Sequence, residues 1–181
     1  MDGLLNFDKA GFRAINLGLS SPILDPVMWA LSYSGLGQVQ FLACLIFLRW
    51  KPTKHFVVPL LASILFSGLI LAQGLKQLVG RDRPSNLMTA RVQEQIFGNS
   101  FPSGHTTTSF AVATMLLLLT WNTGYRKIGI AAMIWAPLVG VSRVYRGIHW
   151  PTDTLAGACA GVASACFLYL VLRPKAYSEP S

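Results

Sequence analysis

The sequence predicts an all-α fold: a polytopic transmembrane helical bundle of five spans, preceded by an N-terminal amphipathic or sixth helical segment. Three observations lead there. Of 181 residues, 52% are hydrophobic and only 12% are charged, far from the balance of a water-soluble domain. Mean hydropathy is +0.48. Several apolar runs also approach the roughly 17 to 25 residues that a helix needs to cross about 30 Å of hydrocarbon. Helices are the expected form because a single helix satisfies its own backbone in lipid. The length suits one domain, 1–181, divided into an N-terminal helical segment 1–35, a core bundle 36–172 and a tail 173–181.

The first stretch sets Leu4, Leu5, Phe7, Phe12, Ile15 and Leu17 among Asn6, Asp8, Lys9, Arg13 and Asn16, an amphipathic pattern suited to an interfacial helix. Asp2 and Asp8 interrupt any pattern of basic, then apolar, then small residues, so this stretch does not read as a cleaved signal peptide. Pro22 to Tyr33 is too short to span alone. The five spans follow at 36–50, 55–79, 105–121, 127–144 and 153–172, each ended by charge, Gly or Pro. Between the second and third, 81–101 carries Asn86, Thr89, Arg91, Gln93, Glu94, Gln95 and Asn99, polar enough for a lid or rim. The tail after Leu172, with Pro174 and Pro180, is expected to be disordered. Cys44, Cys159 and Cys166 lie in apolar runs without metal or redox spacing and read as small core residues.

A formal charge of +8 raises the question of nucleic acid. The basic residues are scattered over helix ends with no aromatic-interleaved stripe, which argues against it. Alternating the five spans across the bilayer puts Lys76 to Pro84, Pro102 to His105 and Ser142 to Asp153 on one side. Arg49, Lys51, Lys54, Arg126, Lys127, Arg173 and Lys175 fall on the other, and by the positive-inside rule that side is cytoplasmic. The reactive clusters are therefore expected to face the periplasm or exterior of a bacterial inner membrane.

Those clusters carry chemistry. Arginine offers a planar fork that matches phosphoryl oxygens, and Lys76, Arg83 and Arg143 come from three segments that a bundle could converge on one anion. Singly, each also suits a snorkelling residue near a helix end. Ser103 stands where an N-cap belongs, before an apolar helix whose free N–H groups attract anions, and Gly104 allows close backbone approach. His105 in the first turn is placed to pass a proton to a leaving oxygen. Asp153, near the start of the last helix, can accept from one nitrogen of His149 and leave the other nucleophilic. The cations around these residues disfavour a divalent metal, and no cofactor is implied.

Together the clusters resemble the signature of the type-2 phosphatidic acid phosphatase superfamily of membrane lipid phosphatases. Six residues separate Lys76 from Arg83-Pro84; Pro102-Ser103-Gly104-His105 follows; five residues separate Ser142-Arg143 from His149, and three separate His149 from Asp153. The resemblance implies a metal-independent, two-step displacement. His149 attacks phosphorus, Asp153 orients it, and His105 protonates the leaving oxygen and then activates water. Lys76, Arg83, Arg143, Ser103 and Gly104 hold the phosphoryl oxygens, while Pro84, Pro102 and Ser142 support them. The implied partners are the bilayer and a phosphorylated lipid, with undecaprenyl pyrophosphate as leading substrate. Phosphatidylglycerophosphate, phosphatidate and lipid A are the alternatives. A rival from another class is a transporter or anion-binding protein using the same cationic pocket. Transporters favour midplane charges and inverted repeats, and the sequence shows neither.

Overall fold

In a computed structural model that describes residues 2–172, every regular element is helical. Helix α1, Asp2–Phe12, continues through a π-helical turn to Leu17. Helix α2, Leu24–Ser34, meets α3, Gly37–Cys44, at a bend, and α3 tightens into a 3₁₀ turn ending at Arg49. The rod Lys51–Val79 contains α4, Val57–Leu65, a π-helical stretch Phe66–Ala72 and α5, Gln73–Val79. An irregular polar segment then leads to α6, Gly104–Thr120, α7, Arg126–Tyr145, and α8, Pro151–Leu172.

The span count differs from the sequence expectation. Lys51–Val79, Arg126–Tyr145 and Pro151–Leu172 are long and apolar enough to cross a bilayer, and α2 with the Gly37–Arg49 segment forms one further crossing only as a pair bent by 67°. The segment 36–50 is thus no straight span of its own. Its break comes at Gly35, whose backbone lies so close to Val139 and His105 that a side chain has no room. Helix α6, at 17 residues, sits at the short limit for a span. Its apolar character serves an interior position: Ala111, Ala113 and Met115 are fully buried.

Helix α6 is the hub, packed along both α7 and α8 and against the rod. Small residues permit this approach, as in membrane bundles generally. A Cβ at Gly157 of α8 would stand 2.9 Å from the Ser103 carbonyl oxygen, and one at Gly161 would stand 2.9 Å from Phe110 Cβ and 3.0 Å from Ala111 N. The main apolar cluster joins Phe56, Leu60 and Ile64 to Val112, Met115, Leu116 and Ala165. Cys44 joins that core as expected, but Cys159 and Cys166 are exposed on the outer face of α8. The expected tail, 173–181, lies outside the described residues.

Candidate active site

The C-terminal ends of α5 and α7 and the N-terminal ends of α6 and α8 come together at one end of the bundle, bringing the three sequence clusters to one place. His149 sits in the α7–α8 turn and is 2% exposed. Its Nδ1 stands 3.5 Å from Asp153 Oδ2, long for a hydrogen bond though catalytic contacts often tighten only when substrate binds. Its Nε2 faces the opposite way, 3.4 Å from Arg83 Nη1. Burial pushes the His149 pKa down to about 4; Asp153 opposes this, and Arg143 and Arg83 reinforce it. The imidazole is neutral at pH 7.

Asp153 is fully buried and does two things at once. At the third position of α8 its Oδ2 accepts from the N-cap N–H of Trp150, 2.9 Å away, satisfying one of the free donors at the helix start. Its Oδ1 accepts from Arg81 Nη1 at 2.7 Å. The fixed carboxylate therefore presents a set edge to His149. The backbone of Ser103 is tied to the same corner, its N–H donating to the Asp153 carbonyl at 3.0 Å.

Ser103 occupies the N-cap position of α6 in extended conformation, but its side chain makes no capping bond, contrary to expectation. Its hydroxyl instead accepts from Thr106 Oγ1 at 2.9 Å. The first intrahelical bond runs from Thr107 N to Ser103 O, so the N–H groups of Gly104, His105 and Thr106 precede the first helical acceptor and present the positive end of α6. His105 lines a cavity of about 270 Å³ with Arg143, Arg146, Glu94 and Ser32.

Arg143 is 1% exposed. Its Nη1 donates to Ser32 Oγ and, at 3.2 Å, to Glu94 Oε2. Its Nε and Nη2, which form the side-on fork of the guanidinium, have no hydrogen-bond partner among the described residues. Arg83 is more committed: Nε, Nη1 and Nη2 donate to the carbonyls of Gly98, Ile148 and Asn99 at 2.9, 3.1 and 3.0 Å. It clamps the polar segment to the α7–α8 turn while its Nη1 edge reaches His149. Lys76 lies within electrostatic reach of Arg83, Arg143 and Asp153. Pro84 and Pro102 are buried beneath the site. The Ser142 hydroxyl donates to Val139 O at 2.6 Å, so it braces its own helix and is turned from the anion donors.

The polar segment 81–101, expected as a lid or rim, contributes contacts at the edge of the site. Glu94 Oε2 bridges Arg143 and Arg146, 3.0 Å from Arg146 Nη2, and Arg91 is paired with Asp25 of α2 at 2.6 Å. Sequence reasoning read Glu94 as ordinary loop polarity and missed Ser32 altogether. A signal for Glu94 existed: it is the single acidic residue between Asp82 and Asp153. Ser32 had none, because its role depends on how α2 crosses α7.

The profile of the PAP2 superfamily matches residues 56–177. The chain belongs to that superfamily. It is 32% identical over 174 residues to the bacitracin transport permease protein BcrC of Bacillus licheniformis, covering 91% of this chain and 79% of that one. It is 30% identical over 159 residues to the undecaprenyl-diphosphatase of Sulfolobus acidocaldarius, covering 87% and 74%. Its fold superposes on the crystal structure of Aquifex aeolicus LpxE with a TM-score of 0.78 at 27% identity, covering 90% and 94% of the two chains. Family membership, the apolar helices and these relatives make it a phosphatase of the membrane-embedded lipid phosphatase family.

Proposed function

We propose that this PAP2 protein hydrolyses a lipid diphosphate or monophosphate through a phosphohistidine on His149, without a metal, at a site facing the periplasm or exterior, with undecaprenyl pyrophosphate as leading substrate. One observation carries the reading: a buried guanidinium, Arg143, whose Nε–Nη2 fork has no partner among the described residues, stands beside a buried neutral imidazole. Buried donors are costly to leave unmatched, and a planar fork matches two phosphoryl oxygens. The donors around the site are cations and N–H groups, a set suited to an anion and hostile to a divalent ion.

In this reading His149 Nε2 attacks phosphorus and the bond to the leaving oxygen breaks. His105, protonated beside the bound anionic phosphoryl group, gives its proton to that oxygen and is left neutral. Asp153 holds Nδ1 and offsets the positive charge that develops on the ring. Water, giving its proton to His105, then attacks phosphorus and breaks the P–N bond, releasing phosphate and restoring both histidines. The fork of Arg143, with Lys76, Arg83, Ser103 and the N–H groups of α6, stabilises the charge on the equatorial oxygens.

A lipid substrate is supported by a second cavity, about 560 Å³, which runs from Gly104 and His105 along Phe41, Leu42, Leu65 and Leu69 between α3 and the rod. A hydrocarbon chain leaving the phosphate can lie there. The diphosphate preference rests on the undecaprenyl-diphosphatase relative. The test is phosphate release by purified protein in detergent with EDTA, on undecaprenyl pyrophosphate, phosphatidylglycerophosphate, phosphatidate and lipid A, alongside His149→Ala. Turnover that survives EDTA and vanishes in the variant is expected. Activity lost to EDTA and restored by one metal overturns the metal-free reading, and an active His149→Ala protein overturns the phosphohistidine.

A further inference from the structure

Asp8, in a segment without any family motif, is fully buried at the far side of the catalytic corner. Its Oδ1 accepts from Thr152 N at 2.9 Å, and its Oδ2 accepts from Thr152 Oγ1 at 2.6 Å and from Arg81 Nη2. Arg81 in turn donates through Nη1 to Thr152 Oγ1 and to Asp153 Oδ1, each at 2.7 Å. Arg81 also lies over the Trp150 ring, 5.5 Å from its centroid. A carboxylate of α1, a guanidinium of the rim and the carboxylate beside His149 are thus joined in one row.

Two consequences follow. Thr152 is the second residue of α8, where backbone N–H groups have no helical acceptor. Asp8 supplies that acceptor from another helix and so fixes the start of α8, on which Asp153 stands. The second consequence concerns charge. A lone Arg81–Asp153 pair is neutral and gives His149 little with which to offset positive charge. With Asp8 on its other edge, Arg81 is shared by two carboxylates and the row keeps a net negative charge, which reaches His149 through Asp153.

We infer that Asp8, acting through Arg81, is a positioning residue for the displacement: it holds Asp153 in place and keeps its charge available to His149 as the phosphoryl group transfers. The inference rests on the phosphohistidine reading above. It gives the N-terminal helix a part in catalysis beyond covering the bundle.

Asp8→Asn preserves shape and an acceptor for Thr152 N while removing the charge. Its kcat on the preferred lipid is expected to fall about tenfold, the order of one lost charge interaction at intermediate range in a protein interior, with KM unchanged. Asp153→Asn should lose more, and adding Asp8→Asn to it should cost nothing further, because the row then ends before His149. Arg81→Lys, which keeps the charge but not the bridging fork, should reproduce the kcat loss. Thermal unfolding in detergent reports folded protein for each variant. Unchanged kcat per folded molecule in both Asp8→Asn and Arg81→Lys, or a full further loss in the double variant, overturns the inference while leaving the phosphohistidine reading intact. An active His149→Ala protein is the separate result that removes that reading.

Discussion

Glu94→Gln should tighten inhibition by inorganic phosphate. The Glu94 carboxylate lies 3.2 Å from Arg143 Nη1, on the opposite edge from the free Nε–Nη2 fork. A phosphate on that fork faces the carboxylate across one guanidinium, about 6 Å away. At an effective dielectric of about 20, two unit charges at that distance repel by about 3 kcal/mol. The Glu94 side chain is 32% exposed, so solvent and salt reduce this to about 1 kcal/mol. The opposing effect is looser positioning of Arg143. It is small, about 0.3 kcal/mol, because Ser32 still holds Nη1 and the amide oxygen of Gln can still accept from it. Repulsion wins by about 0.7 kcal/mol, and the Ki of phosphate, measured as competitive inhibition of lipid turnover, should fall about threefold. A Ki that is unchanged or higher, in protein of equal thermal stability, refutes the placement of the anion on that fork.

Three further outcomes are expected. His149, held near pKa 4 by burial and by the cations Arg143 and Arg83 in spite of the opposing Asp153 carboxylate, with His105 and Lys76 also facing the site, keeps its nucleophilic lone pair well below pH 6.5. The acid limb of kcat/KM set by this group should therefore fall near pH 4 to 5, and a limb at or above 6.5 that Asp153→Asn does not move contradicts it. The same depressed value makes stability complete above pH 6.5 and progressively lost as pH falls towards 4, since the unfolded chain binds the proton first; thermal unfolding across that range checks it. Gly161→Ala forces a Cβ into Phe110 and the α6 backbone, so about 2 kcal/mol of stability and about 5 °C of melting temperature should be lost. A variant that melts with the wild type would show that α6 and α8 do not need this contact.

The membrane character of the chain, its helical elements and the residue types of the site were legible in the sequence because each rests on local pattern. Apolar runs report lipid whatever their neighbours, and the spacing within Pro102-Ser103-Gly104-His105 fixes a helix start. The number of spans was less legible. Hydropathy alone does not separate an interior helix such as α6 from a lipid-facing one, and the bend lies where Gly35 packs against Val139 and His105, residues remote in sequence.

Which side chains with phosphate chemistry exist, and their place at helix ends where one end of an antiparallel bundle can collect them, can be read from the order of residues. Tertiary structure alone decided how each is used. Arg83 spends donors on the carbonyls of Gly98, Ile148 and Asn99, Arg143 keeps a fork free, and Ser142 turns into its own helix. Asp8 joins Asp153 across |i−j| values of 73 and 72 through Arg81. The reason is physical: hydrogen bonding and charge compensation in a dry interior depend on distances between segments remote in sequence, and no local pattern encodes those distances.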